Sequence, residues 1–371
     1  MSADLATLFN DFDRGRLSRR QLLQALGLAI AIRPASALAQ GQCGGARAGT
    51  PECDPTPAKL PFAPTGWKTV LLDRLSCQVA DYPKEAAYYA ALMNWKIRSD
   101  DGKQAVLDIG DWGGLVLRGG YQAPPAPPST DAAAGAGGGR GGAPRAPRNA
   151  AFDSFCWGIE PWDAKKVEAE LRQRGLTPIA DNQGKDFESF HVKDPDGFDL
   201  QISNGSRKNR RQGSATGKTS ALAPFEPTSW KTVWLDHISF EVSNYKETVA
   251  FYTALLGWTA GTDEGSQSQC QIGDIGDIII RRGGGGNRGA APSAMPPARR
   301  AAMGHISFGI AAFDPDQVKV ELEKRGLTAR VDTGGRGDIH TSSYKSYHTT
   351  TPNGFDLQIS ATTRANRTPT A

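Results

Sequence analysis

Apolar and polar residues alternate in short runs along the chain, and the last such run is the clearest. Phe355, Leu357 and Ile359 alternate with Asp356, Gln358 and Ser360 after a Pro352-Asn353-Gly354 turn, which predicts a strand with one apolar and one polar face. Tyr347 to Thr350, before the turn, predicts its hairpin partner. The same phrase occurs earlier as Phe190-His191-Val192-Lys193-Asp194-Pro195-Asp196-Gly197-Phe198-Asp199-Leu200-Gln201-Ile202-Ser203. The correspondence continues upstream, where Trp67-Lys68-Thr69-Val70 answers Trp230-Lys231-Thr232-Val233 and Glu170-Leu171 answers Glu321-Leu322. Residues 67–204 and 230–361 are therefore two copies of one unit.

Each copy reads as strand, helix, strands, twice over. In the second copy a strand from Leu235 to Val242 precedes a helix from Tyr245 to Leu256, with Asn244 as N-cap, Glu247 three residues on and Gly257 as the stop. Strands at Gln269–Ile272 and Asp277–Arg282 follow, then a Gly/Ala/Pro-rich tract over 283–300. The pattern restarts with a strand from Gly304 to Ile310 and a helix opened by Asp314-Pro315 and closed by Gly326. The first copy repeats this order, with a longer low-complexity tract over 122–148 and its second helix over 163–174. The fold class is α+β, and the apolar strand faces are expected to lie under the helices of their own copy.

Outside the copies, the chain divides into residues 1–39, a leader over 40–66, a linker over 205–229 and a tail over 362–371. Ser18-Arg19-Arg20 precedes a modest apolar run, Leu22 to Ile32, and Ala37-Leu38-Ala39 offers a small-residue cleavage site. This resembles a twin-arginine export signal, and the run is too short to remain as a membrane anchor. The implied mature protein begins near Gln40 and works in the periplasm or outside the cell. Export would place Cys43 and Cys53 where a disulfide can form, while Cys77, Cys156 and Cys270 fall in or beside strands as core residues. The net charge of +4 lies partly in the linker run Arg207-Lys208-Asn209-Arg210-Arg211, so nucleic-acid binding has little support. The Gly283-Gly284-Gly285-Gly286 run lacks the strand-to-helix setting of a phosphate loop.

The candidate chemistry lies on the polar strand faces. Strand parity puts His237, His305 and Gln358 on one side of the second copy's sheet, with His348 and Tyr344 beside them and His340 if that strand reaches so far. Four of the chain's five histidines are in this copy. At the corresponding positions the first copy has Arg74, Ser154 and Gln201, with His191 matching His348.

The doubled strand-helix-strands unit with its Asp-Pro-Asp-Gly hairpin resembles the vicinal oxygen chelate superfamily, which includes glyoxalase I, bleomycin-resistance proteins and extradiol dioxygenases. The resemblance implies two tandem domains, each pairing two βαβββ modules into a curved sheet with a cup. In the enzymes of that superfamily one divalent metal is held by the first strand of each module and the last strand of the second. Carried over, these positions are His237, His305 and Gln358, the last usually a Glu, with Asp356 as a displaced alternative. A Zn, Mn, Ni or Fe(II) ion is implied, bound by fewer charges than usual. His348 stands where the dioxygenase pattern has Tyr, and it is a candidate for proton transfer together with Tyr344. Its twin His191 keeps a purely structural role equally open. Arg74 would repel a dication, so the first copy is expected to be a metal-free scaffold, half of a substrate cleft or an anion pocket. Two functions follow from the resemblance. One is a metal-dependent lyase, isomerase or ring-cleaving dioxygenase acting on a small molecule with two vicinal oxygens. The other is a metal-free binding protein of the bleomycin-resistance type.

Overall fold

The structure, a computed structural model, describes residues 58–122, 148–182, 186–207, 219–265, 267–282, 301–332 and 345–364. The export-signal segment, Cys43, Cys53, His340 and Tyr344 lie outside the described residues.

The first copy contains β1 (Lys68–Val79), α1 (Tyr82–Met93), β2 (Lys96–Asp100), β3 (Gln104–Ile109), β4 (Gly113–Arg118), β5 (Ala150–Glu160), α2 (Ala164–Gln173), β6 (Ile179–Ala180), β7 (Ser189–Lys193) and β8 (Asp199–Ser203). The second repeats it as β9 (Thr232–Val242), α3 (Tyr245–Leu256), β10 (Thr259–Asp263), β11 (Gln267–Ile272), β12 (Gly276–Arg282), β13 (Ala302–Ile310), α4 (Pro315–Lys324), β14 (Arg330–Asp332), β15 (Ser346–Thr350) and β16 (Asp356–Ser360). Each copy forms an eight-stranded sheet, ordered β2-β3-β4-β1-β5-β8-β7-β6 and β10-β11-β12-β9-β13-β16-β15-β14. The first and last strands of every module are parallel, and the two modules of a copy join through their antiparallel first strands. This is the α+β arrangement of paired βαβββ modules, in tandem.

Local signals set the helix ends. The Asn244 side chain accepts from the Glu247 amide, and Gly257 ends α3 at φ 68°, a left-handed turn that glycine makes without a Cβ clash. Asp163 and Asp314 cap α2 and α4 in the same way. β2 and β10 escape the sequence pattern because they are edge strands. Paired on one side only, they need no full alternation, and Thr259-Ala260-Gly261 shows none.

The expectation that each copy covers its own apolar faces holds for the first module of each, where α1 packs on β1–β4 and α3 on β9–β12. α2 and α4 bury only Val167 and Leu171, and Val318 and Leu322. The apolar faces of the second modules instead meet the first helix and the aromatic residues of the other copy. Phe155 lies 5.8 Å from both Phe240 and Tyr252, Trp157 lies 5.4 Å from Trp258, and Trp95 lies 5.0 Å from Phe308, between ring centroids. The two copies share one core.

Their docking is reciprocal. Trp95 Nε1 donates to Thr232 Oγ1 at 2.9 Å, and Trp258 Nε1 donates to Thr69 Oγ1 at 3.0 Å. Thr228, just before the second copy, donates through its amide and hydroxyl to the last carbonyls of α1. Thr65, just before the first, does the same for α3. Each arm thus satisfies helix-end carbonyls that would otherwise be orphaned at the seam. With the apolar faces turned toward this seam, the polar faces point away from it.

Candidate metal centre

The centre is built on a β-bulge. Between Leu235 and Ile238, β9 has one more residue than the facing segment of β12, so Asp236 and His237 together oppose Asp277. A bulge of this kind can turn two successive side chains to one face. The contacts agree, since Asp236 Oδ2 accepts from Ser307 Oγ at 2.6 Å and lies 3.4 Å from His237 Nδ1. Asp236 is fully buried and His237 nearly so.

β13 brings the second imidazole. His305 Nε2 is 2.9 Å from His237 Nε2, and the rings meet edge to face. Burial, and then the proximity of His237 and His348, hold His305 well below the usual histidine range. Its ring is therefore neutral at ordinary pH and keeps a nitrogen lone pair.

β16 and β15 complete the face. In register, Gln358 lies between Ser307 and His348, and Asp356 lies beside His305. The Gln358 amide nitrogen donates to Ser346 Oγ at 2.7 Å. His348 is flanked by two carboxylates, Asp356 at 3.0 Å from Nδ1 and Asp332 at 3.4 Å from Nε2, and its ring centroid is 5.1 Å from that of His305. Burial opposes charge on His348, but Asp332 and Asp356 outweigh it and raise its pKa. Asp356 is likewise buried, yet His348, His305 and Arg330 bring it down to about 2.

The structure thus places His237, His305, Gln358 and His348 on one polar face. Asp356, read from sequence as an alternative ligand, is instead engaged by His348 and by Arg330 Nη2 at 2.7 Å. Sequence reading missed Asp236, Asp332 and Arg330. Asp236 had one available signal, because its neighbour pattern Asp-His repeats the Asp73-Arg74 of the first copy. Arg330 and Asp332 sit on the short edge strand β14, whose sequence carries no periodicity.

Among the described residues no three His, Cys, Asp or Glu side chains gather closely enough to hold an ion by themselves. The donor set offered is two imidazoles and one amide. His237 Nε2 and His305 Nε2 stand at hydrogen-bonding distance, 2.9 Å, so two imidazole nitrogens converge on one point of the polar face. Asp236 lies within ion-pairing range of the other nitrogen of His237, Nδ1, at 3.4 Å. The imidazole pair is a donor set suited to a divalent ion, and the third donor, the Gln358 amide, is neutral.

The first copy has the same bulge and a different filling. Arg74 Nη1 donates to Asp73 at 2.8 Å and Nη2 donates to Gln201 Oε1 at 2.5 Å, with Asp181 4.0 Å away. Of the three readings of the first copy, the anion pocket is disfavoured, because Arg74 is taken up by the protein's own groups.

No family model and no curated protein matches the sequence. Solved structures do match its fold. The Mn(II)-bound glyoxalase from Novosphingobium aromaticivorans aligns with a TM-score of 0.54 at 15% identity, covering 79% of this chain and 82% of that one. The E323L mutant of homoprotocatechuate 2,3-dioxygenase from Brevibacterium fuscum aligns at 0.52 and 16% identity, covering 82% and 74%. A catechol 2,3-dioxygenase aligns at 0.52 and 14% identity, covering 82% and 91%. The fold is the vicinal oxygen chelate fold. In that fold His237 and His305 occupy the first strands of the two modules of one domain, and Gln358 occupies the last strand of the second. At these identities the likeness carries the architecture, and the chemistry has to be argued from the side chains.

Proposed function

We propose that this chain is an exported metal-dependent enzyme that acts on a small molecule with two adjacent oxygens, by lyase, isomerase or ring-cleaving dioxygenase chemistry. The observation that carries the reading is the 2.9 Å approach of His237 Nε2 to His305 Nε2, with Asp236 behind the first ring. His237, His305 and the Gln358 carbonyl oxygen would hold the ion. When bound, a divalent ion supplies Lewis acidity to two adjacent substrate oxygens. Three protein donors leave coordination positions open, the form of a catalytic site.

The remaining residues have distinct tasks. The Nε2 nitrogens of His237 and His305, which converge at 2.9 Å, would be the donor atoms. His305 stays neutral for the same purpose. His348 carries the mobile proton, because Asp332 and Asp356 favour its charged form beside the imidazole pair. Tyr344, beyond the described residues, belongs to the same proposal as a second proton-handling group. Export is supported by Arg19-Arg20 and Ala37-Leu38-Ala39, and N-terminal sequencing of the protein from the periplasm should begin near Gln40.

Elemental analysis of the purified mature protein tests the proposal. About one equivalent of a transition metal is expected, lost in His237→Ala and His305→Ala and retained in His348→Asn. A metal-free protein that binds an aromatic ligand, with affinity unchanged by both alanine variants, would make it a sequestering protein instead.

A further inference from the structure

The two cups are copies, so each position of one can be compared with its counterpart in the other. Asp73 corresponds to Asp236, Arg74 to His237, Ser154 to His305, Gln201 to Gln358, Ser189 to Ser346 and Asp181 to Asp332. Strand register confirms the match. Arg74 faces Cys156 and Ser154 faces Ser76 across β1 and β5, as His237 faces Ser307 and His305 faces Ser239 across β9 and β13.

The amides are held alike. Gln201 Nε2 donates to Ser189 Oγ at 2.7 Å, and Gln358 Nε2 donates to Ser346 Oγ at 2.7 Å. Anchoring the amide nitrogen on serine sends the carbonyl oxygen the other way. In the first cup that oxygen accepts from the Arg74 guanidinium, which also pairs with Asp73 and lies near Asp181. One positive charge therefore sits among an amide oxygen and two carboxylates. Burial works against that charge, and Cys156, then Asp73 and Asp181, more than restore it. In the second cup the arginine is replaced by an imidazole, and a second imidazole replaces Ser154. Position 237 thus carries no fixed charge, while Asp236 and the Gln358 amide keep their places and Asp356 is paired by Arg330 and His348.

We propose that Arg74 is a resident cation, standing in the first cup where a divalent ion binds in the second. The chain accordingly binds one ion, and the first cup becomes a metal site when residues 74 and 154 are histidines. The inference rests on the metal reading of the second cup for its stoichiometry, but the role of Arg74 can be tested without it.

Two measurements decide it. In Arg74→His/Ser154→His, metal content should rise from one ion per chain to two, and combining these changes with His237→Ala/His305→Ala should return it to one. A folded variant, by circular dichroism and thermal melting, that gains no ion overturns the proposal. Independently of metal, Arg74→Ala should melt at a lower temperature, and non-denaturing guanidinium chloride should recover most of that loss where equal sodium chloride does not. If Arg74→Met melts with the parent protein, the first cup needs no cation and the proposal fails. A parent chain without metal would overturn the enzymatic reading, and the guanidinium comparison would still decide the role of Arg74.

Discussion

At the residue scale the most informative side chain is Gln358. Its oxygen offers a dipole and no charge, so a dication held there would be compensated less than by a carboxylate. Gln358→Glu should tighten metal binding at least about tenfold, the scale on which even outer-sphere partners change affinity. Competition with a chelator measures this, and an unchanged affinity would remove residue 358 from the donor set. Strand parity made His237, His305, Gln358 and His348 legible in the sequence, because alternate side chains share a face whatever the strand's surroundings. Asp236 was not legible. It shares the face of His237 only through the bulge, and an inserted residue leaves no mark on an alternating pattern. Asp332 and Arg330 were lost for another reason, since a three-residue edge strand is too short to show any period.

At the scale of elements, the two hairpin turns tie each copy to the other's first helix. In one, the Asp194 carboxylate accepts from the amides of Asp196 and Phe198 and from the Tyr252 hydroxyl of α3. In the other, Asn353 donates through its amide and side chain to buried Glu85 of α1. Burial raises Asp194 to about 6 and raises Glu85 as well. For a carboxyl raised on folding, the folded state holds the proton more tightly than the unfolded state, whose pKa is about 3.9. Its stabilising contribution is thus complete at low pH and is lost as pH rises from about 4 to about 6. Asp194→Asn keeps the shape and cannot ionise. Denaturant melts should show this variant gaining on the parent by roughly 2 kcal/mol between pH 4 and pH 7. A parent and variant with parallel pH profiles would mean that Asp194 is not desolvated. Asn353→Ala should cost roughly 2–4 kcal/mol at neutral pH, because it strands a buried carboxylate among fewer donors.

At the scale of the whole molecule, the duplication was visible in the sequence and the shared core was not. An alternating strand announces that one face is apolar, but the covering partner is absent from the pattern. The helices nearest in sequence were the natural candidates; α1 and α3 do cover the strands of their own first modules, but α2 and α4 proved too shallow, each burying two side chains. What the sequence does show in hindsight is surplus. Phe155, Trp157, Phe240, Tyr252 and Trp258 are more aromatic bulk than two short helices can cover, and all five are buried where the copies meet.

A common core has a thermodynamic consequence. Two domains that each buried their own apolar surface could unfold separately, whereas here the loss of one copy would expose the aromatic seam of the other. Calorimetry should therefore show one transition in which the van't Hoff and calorimetric enthalpies agree. Phe155→Ala, a change in the first copy, should cost roughly 3–5 kcal/mol and lower the melting of both copies together. Hydrogen exchange gives the local readout, with amides of β15 and β16 in the second copy losing protection alongside those of β5. Two resolved transitions, or a Phe155→Ala effect confined to the first copy, would show that the seam is a contact between independent domains. A common transition would also explain why a first copy whose cup is filled by Arg74 is retained, since the second cup's sheet stands on it.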